Sequence, residues 1–344
     1  MSPSSIEFGC RPTAIGSMPH SNAEEACQLV LRYLPNIPAW PQLLRRSFKE
    51  GMVIQYSEGF PGMIVEADRA YVNIGDEFTS ALEQLYARHY ENDYQSYPIS
   101  AEYAAGLHAF LTLARGTMQC AKGQIAGPIS CGLSVANKEG LPIIYNEIAA
   151  DAMAKHLRLK AAWQERTLRD ACSTTLIFVD EPSLSSLGTA GIALSTEQVV
   201  GLIEETLGGI SGLKGVHCCG SADWSLLLKT SIDVLSFDAY NYAESLSLYP
   251  QEVKALLDKG GSIAWGIVPN DEDNLAKETV SSLKDRLEAA MAPFTKDGYP
   301  IRRIVDQGLL TPSCGLAYVS SEAAEHALQL LADLSAAVRK RHLS

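Results

Sequence analysis

Thr175-Leu176-Ile177-Phe178-Val179-Asp180-Glu181-Pro182 is the stretch on which the fold turns: a short apolar run closed by two carboxylates and a proline. An apolar run of this length bounded by breakers reads as a strand buried on both faces. Apolar spacing over 141–170 predicts a helix before it. Ser195, with Gln198 three residues on, forms a capping box that opens another at 196–207. Working outward, similar runs stand at 13–17, 37–41, 120–125, 215–218, 234–238, 262–268 and 309–311, eight in all with 175–180. Helical spacing between and after them covers 101–113, 249–258, 277–291 and 322–343. Strands alternating with helices build a parallel sheet covered by helices. Eight such repeats predict a (β/α)8 TIM barrel forming a single domain over 1–344, with an open doubly wound sheet as the competitor. The stretch 42–100, rich in Gly, Pro and aromatics, reads as an insertion after the second strand.

Composition narrows the function classes. A chain of 344 residues, 47% hydrophobic and 20% charged, has the profile of a soluble protein with a large core. A formal charge of −12 argues against general nucleic-acid binding, which needs clustered Lys and Arg. The basic run Arg339-Lys340-Arg341-His342 reads instead as a solvated helix end. No apolar run approaches the roughly 20 residues that cross a bilayer. Eight irregularly spaced cysteines, behind an N-terminus without a signal-like pattern, suit a reducing cytoplasm rather than a disulfide framework.

Chemistry concentrates in Lys214-Gly215-Val216-His217-Cys218-Cys219-Gly220 and Thr311-Pro312-Ser313-Cys314-Gly315-Leu316. If the first segment ends a strand, alternation sends His217 and Cys219 to one face and Cys218 to the other. With Cys314 they make a donor set suited to zinc, which takes thiolate and imidazole and keeps a fourth position open when catalytic. The alternative is that the cysteines are small buried residues and His217 a hydrogen-bonded core histidine. In a barrel, active sites gather at the C-terminal strand ends. Ser17, Asp180, His217, Cys219, Asp238 and Cys314 all fall at or just after such ends.

Ala14-Ile15-Gly16-Ser17-Met18-Pro19, Gly127-Pro128, Val179-Asp180-Glu181-Pro182, His217-x-Cys219, Leu235-Ser236-Phe237-Asp238 and Cys314-Gly315-Leu316 follow one another along nearly the whole chain. This ordered set resembles the C-terminal catalytic barrel of cobalamin-independent methionine synthase, in its barrel-only form. The wider group includes uroporphyrinogen decarboxylase and corrinoid-dependent thiol methyltransferases.

The resemblance implies a zinc site that activates a thiol, homocysteine above all, for methylation to methionine. His217, Cys219 and Cys314 match family ligands, and Asp238 stands where the family carries a ligating glutamate, one methylene shorter. Two thiolates and a neutral imidazole cancel the charge of Zn2+. A carboxylate there could therefore exchange for a substrate thiolate at constant total charge.

Further family roles carry over in the same way. Asp180 matches the residue that holds the amino group of homocysteine, while Ile15 and Ser17 match a segment that binds its carboxylate. Gln42 stands near a family glutamate beside the amine. For Asp180 the alternative is a helix-capping pair with Glu181, and for Ser17 a turn. The family's proton-donating histidine is missing from Gly266-Ile267-Val268-Pro269-Asn270-Asp271. Methyltetrahydrofolate needs that proton and a methylcorrinoid does not, so methylcobalamin, free or on a corrinoid protein, is the favoured donor. Another thiol acceptor of the coenzyme M kind, or a non-catalytic thiol- or metal-binding barrel, are the competing readings.

Overall fold

Alternate residues of the central strands turn toward opposite faces, and the two faces here are built for different purposes. The computed structural model describes residues 7–344 apart from 115, 117, 189–191, 193, 297 and 298. Among these the strands are β1 (Arg11–Pro12), β2 (Met63–Val65), β3 (Ala70–Val72), β4 (Ala121–Ala126), β5 (Ala136–Asn137), β6 (Thr175–Asp180), β7 (Leu213–Cys218), β8 (Val234–Phe237), β9 (Ser262–Val268) and β10 (Leu309–Pro312). Seven of them form a curled parallel sheet in the order β1-β10-β9-β8-β7-β6-β4. Thirteen α-helices accompany the strands among the described residues, giving a mixed α/β fold.

On the inner face, Cys120, Leu176, Phe178, Val234, Ala264 and Leu309 close together with Phe8 and Ile37 into a small apolar plug. The outer face, with Ile177, Val179, Val216, Cys218, Leu235, Phe237 and Trp265, joins the large core shared with the helices. Cys218 thus lies on the helix side, opposite to His217. Toward the C-terminal strand ends the inner face changes character, with Lys122, Gln124, Asp180, His217, Ser236 and Thr311 all buried there.

Most expected elements stand where periodicity puts them. β6 and β9 coincide with 175–180 and 262–268, and the capping box of Ser195 and Gln198 opens the helix Thr196–Leu207. The helix expected over 141–170 begins later, at Glu147–Leu168, because Asn146 caps it by accepting from the Ala149 N–H. The helices Ala23–Tyr33 and Asp76–Tyr90 were not among the expectations.

The first two expected strands differ most. The first is Arg11–Pro12, upstream of 13–17, and 37–41 is no ladder strand. What remains is a pair of isolated parallel bridges, Ser17 with Gln42 and Ala39 with Lys122. Pro38 and Pro41 lack the N–H that a continuous ladder requires. The chain uses what is left: Trp40 donates to the Lys122 carbonyl, Lys122 to the Pro38 carbonyl, Gln42 to Gly16 and Met18 to Gln42. Within 42–100 the hairpin of β2 and β3 pairs with β5 as a separate three-stranded sheet. Among the described residues no helix is long and apolar enough to cross a membrane.

Candidate metal centre

His217, Cys219 and Cys314 meet at the C-terminal edge of the sheet. His217 lies near the end of β7, Cys219 follows its last residue, and Cys314 lies two residues beyond β10. One ligand-capable atom from each lies within 4.8 Å of the other two. Pairing sets His217 beside Asp180 on one flank and Ser236 on the other. His217 Nδ1 sits 3.0 Å from Ser236 Oγ, while Nε2 is buried without a protein partner. Such orphaned groups are costly, and Nε2 with two sulfurs is the soft donor set that zinc prefers.

The sulfurs act as one unit. The hydrogen bond from Cys314, opposed by burial and aided by His217, pulls the Cys219 thiol down. The same contact, reinforced by burial, drives the Cys314 thiol far upward. The two thiols therefore titrate as a pair that shares one hydrogen bond. A thiolate is the form that ligates metal.

Asp238 stands apart from the three. Its Oδ1 accepts from the Asn241 N–H at 2.9 Å and its Oδ2 from Asn241 Nδ2 at 2.7 Å, so it caps the helix Ala239–Leu246. Burial, the largest influence, raises its pKa against these bonds.

Asp180 faces the same interior. Its Oδ1 is buried and unpartnered, and burial lifts the carboxyl to about 6 against the pull of His217 and Lys122. Glu181 turns the other way: Oε1 accepts from the Ile129 N–H, and Oε2 from the Ser130 N–H and hydroxyl.

Beneath Asp180 lies Lys122, which sequence reasoning passed over. Its Nζ donates to the Ile15 carbonyl at 2.7 Å, lies 3.4 Å from Gln124 Oε1 and stands 4.2 Å from the centre of the Phe178 ring. Burial pushes this ammonium down to about 8, with Asp180 opposing. A lone charge inside a run whose alternate residues are otherwise Cys120 and Gln124 was the available signal. Ser236 could have been found too, since it follows from pairing β8 with β7.

Ser17 and Gln42 both have partners of their own. Ser17 accepts through its carbonyl from the Leu316 N–H at 2.9 Å. Gly315 permits this contact, because a Cβ there would fall 2.0 Å from Ser17 Oγ. Gln42 is buried and spends its amide donors on Gln55 Oε1 and the Tyr56 hydroxyl, at 2.8 and 3.0 Å.

No protein-family model and no curated protein sequence matches the chain. Among solved structures, a B12-independent methionine synthase from Shewanella sp. W3-18-1, in complex with selenomethionine, superposes with a TM-score of 0.63 at 16% identity, covering 97% of this chain and 99% of that one. A methyltransferase from Methanosarcina mazei superposes with a TM-score of 0.57 at 12% identity, covering 96% and 94%. At such identities the likeness is one of fold: nearly the whole chain takes the architecture seen in B12-independent methionine synthase-like and methyltransferase structures.

Proposed function

We propose that this protein is a zinc-dependent thiol methyltransferase, with homocysteine as acceptor, methionine as product and a methylcorrinoid as donor. The observation that carries the reading is the convergence of His217, Cys219 and Cys314 around a buried imidazole nitrogen that has no other partner. These three residues would hold a zinc ion, which would lower the pKa of an added thiol so that the nucleophilic thiolate exists near neutral pH. In the scaffold we read a (β/α)8 barrel whose second strand is 37–41, bridged through Ala39 to Lys122, with 42–100 as an insertion after it.

The residues around the donors then have defined tasks. Ser236 accepts from Nδ1–H of His217 and thereby leaves Nε2 as the ligating atom. Asp180 receives the ammonium of the acceptor, which would supply the missing partner of its Oδ1. Lys122 holds the Ile15 carbonyl and with it the segment through Ser17 that faces the acceptor's carboxylate. Asp238 keeps its helix cap, so that His217, Cys219 and Cys314 are the residues that would hold the metal. In the loop after β9 the nearest acid, Asp271, is spent capping the next helix through Asn274. That favours a donor whose leaving group needs no proton. The selenomethionine in complex with the Shewanella protein is the kind of ligand these residues would take.

Metal analysis of the purified protein together with a methyl-transfer assay tests the proposal. One zinc per chain, absent from Cys219→Ala and Cys314→Ala, and methionine formed from homocysteine and methylcobalamin are expected. A zinc-free wild type rejects the centre. Zinc binding without methionine from methylcobalamin or methyltetrahydrofolate rejects homocysteine as acceptor.

A further inference from the structure

We propose that Asn270 is a positioning residue for Cys314, clamping the loop that carries this sulfur to the end of β9. The inference rests on reading His217, Cys219 and Cys314 as a metal centre, and extends it to a residue outside the donor set.

Cys219 and Cys314 are presented differently. Cys219 directly follows a strand paired on both sides, whereas the pairing of β10 with β9 slips just before Cys314: Thr311 faces Gly266 but Pro312 faces Val268. Past that slip the ladder stops fixing the backbone, and side chains take over. The Ser313 N–H still reaches the Val268 carbonyl at 2.7 Å. The Ser313 hydroxyl donates to Asn270 Oδ1 at 2.9 Å, and Asn270 Nδ2 lies 3.5 Å from the Gly315 carbonyl. One planar amide thus touches both residues that flank the sulfur.

Its orientation is fixed by chemistry, since a flipped amide would aim oxygen at the Gly315 carbonyl. Gly266 allows the close approach, because a Cβ there would fall 2.4 Å from the Phe237 carbonyl oxygen and 3.0 Å from the Ser313 Cα. Metal–sulfur bonds tolerate errors of only about 0.2 Å. A loop that must deliver a donor within that margin needs a rigid support, and Asn270 is placed to be it.

Asn270→Ala and Ser313→Ala in the full chain test the clamp by three readouts. Zinc affinity, measured by competition with a chromophoric chelator, should fall roughly tenfold to hundredfold in Asn270→Ala. Thiolate-to-metal absorption of the Co2+-loaded variant should weaken as Cys314 is lost from the shell. In metal-free protein, iodoacetamide labelling of Cys314 relative to Cys219 should rise, with the thermal midpoint unchanged. Ser313→Ala should reproduce these changes in smaller measure. Wild-type affinity, spectrum and labelling ratio in Asn270→Ala overturn the proposal. A wild type that binds no zinc overturns the metal centre instead, and the labelling ratio then decides the clamp alone.

Discussion

Two buried histidines divide the molecule instructively. His156, in the helix Glu147–Leu168, lies edge-on to Phe60 and Tyr97, with ring centres 5.5 and 5.4 Å away. His217 lies among Asp180, Ser236 and two sulfurs. Each has one nitrogen in a hydrogen bond, to the Tyr56 carbonyl or to Ser236 Oγ, and one buried nitrogen without a partner. Burial and an orphaned nitrogen are therefore common to both. Only convergence of further donors separates a binding centre from a core histidine.

The sharpest way to break the comparison is to substitute both. His217→Gln should abolish stoichiometric zinc, read by elemental analysis. His156→Gln should keep the zinc but lose roughly 1 to 3 kcal/mol of stability in urea unfolding. The contrast fails if zinc survives in the first variant or disappears from the second.

Asp180→Asn sharpens what surrounds His217. With homocysteine, kcat/KM should drop on the order of a hundredfold, because placement supplies much of the rate. A thiol without an amino group should be affected little. Equal losses for both acceptors would remove Asp180 from amine binding.

Ser236→Ala removes the partner of His217 Nδ1, and zinc affinity should fall about tenfold or more. Unaltered affinity would mean that the tautomer is set without Ser236.

The last test concerns acid. Burial, with a contribution from Lys160, pushes the His156 imidazole from 6.5 down to about 3. Between these values the unfolded chain binds a proton that the folded chain does not. Stability is then complete above about pH 6.5 and is lost progressively as pH drops toward 3. Urea midpoints of metal-free protein between pH 7 and 3 should decline less steeply in His156→Phe. Parallel curves for the two proteins contradict this assignment.

The architecture was legible where local pattern and long-range packing agree. Runs such as 175–180 and 262–268 are apolar on both faces because plug and helices cover them, so composition alone marks their ends. The split between His217 and Cys218 followed from the two-residue period of a strand. The stretch 37–41 was half legible, since its apolar content says strand while its two prolines reduce the pairing to the isolated bridge of Ala39 with Lys122. Asn270 and Lys122 were illegible for another reason. Their roles come from contacts with Ser313 and Ile15, remote in the chain, which no window of sequence contains. Asp238 illustrates a third case: a carboxylate at a strand end can serve a metal or a helix, and here its two oxygens accept from the Asn241 N–H and side chain.

The proline-broken stretch has one more effect. Ser17 and Gln42 meet across a seam stitched by only a few backbone bonds, whereas β4 and β6 are laced along their full length. Amide exchange should be fastest along that seam. The segment of Ser17 can then breathe while the strands bearing His217 and Asp180 stay rigid, so that one flank of the site flexes without disturbing the other.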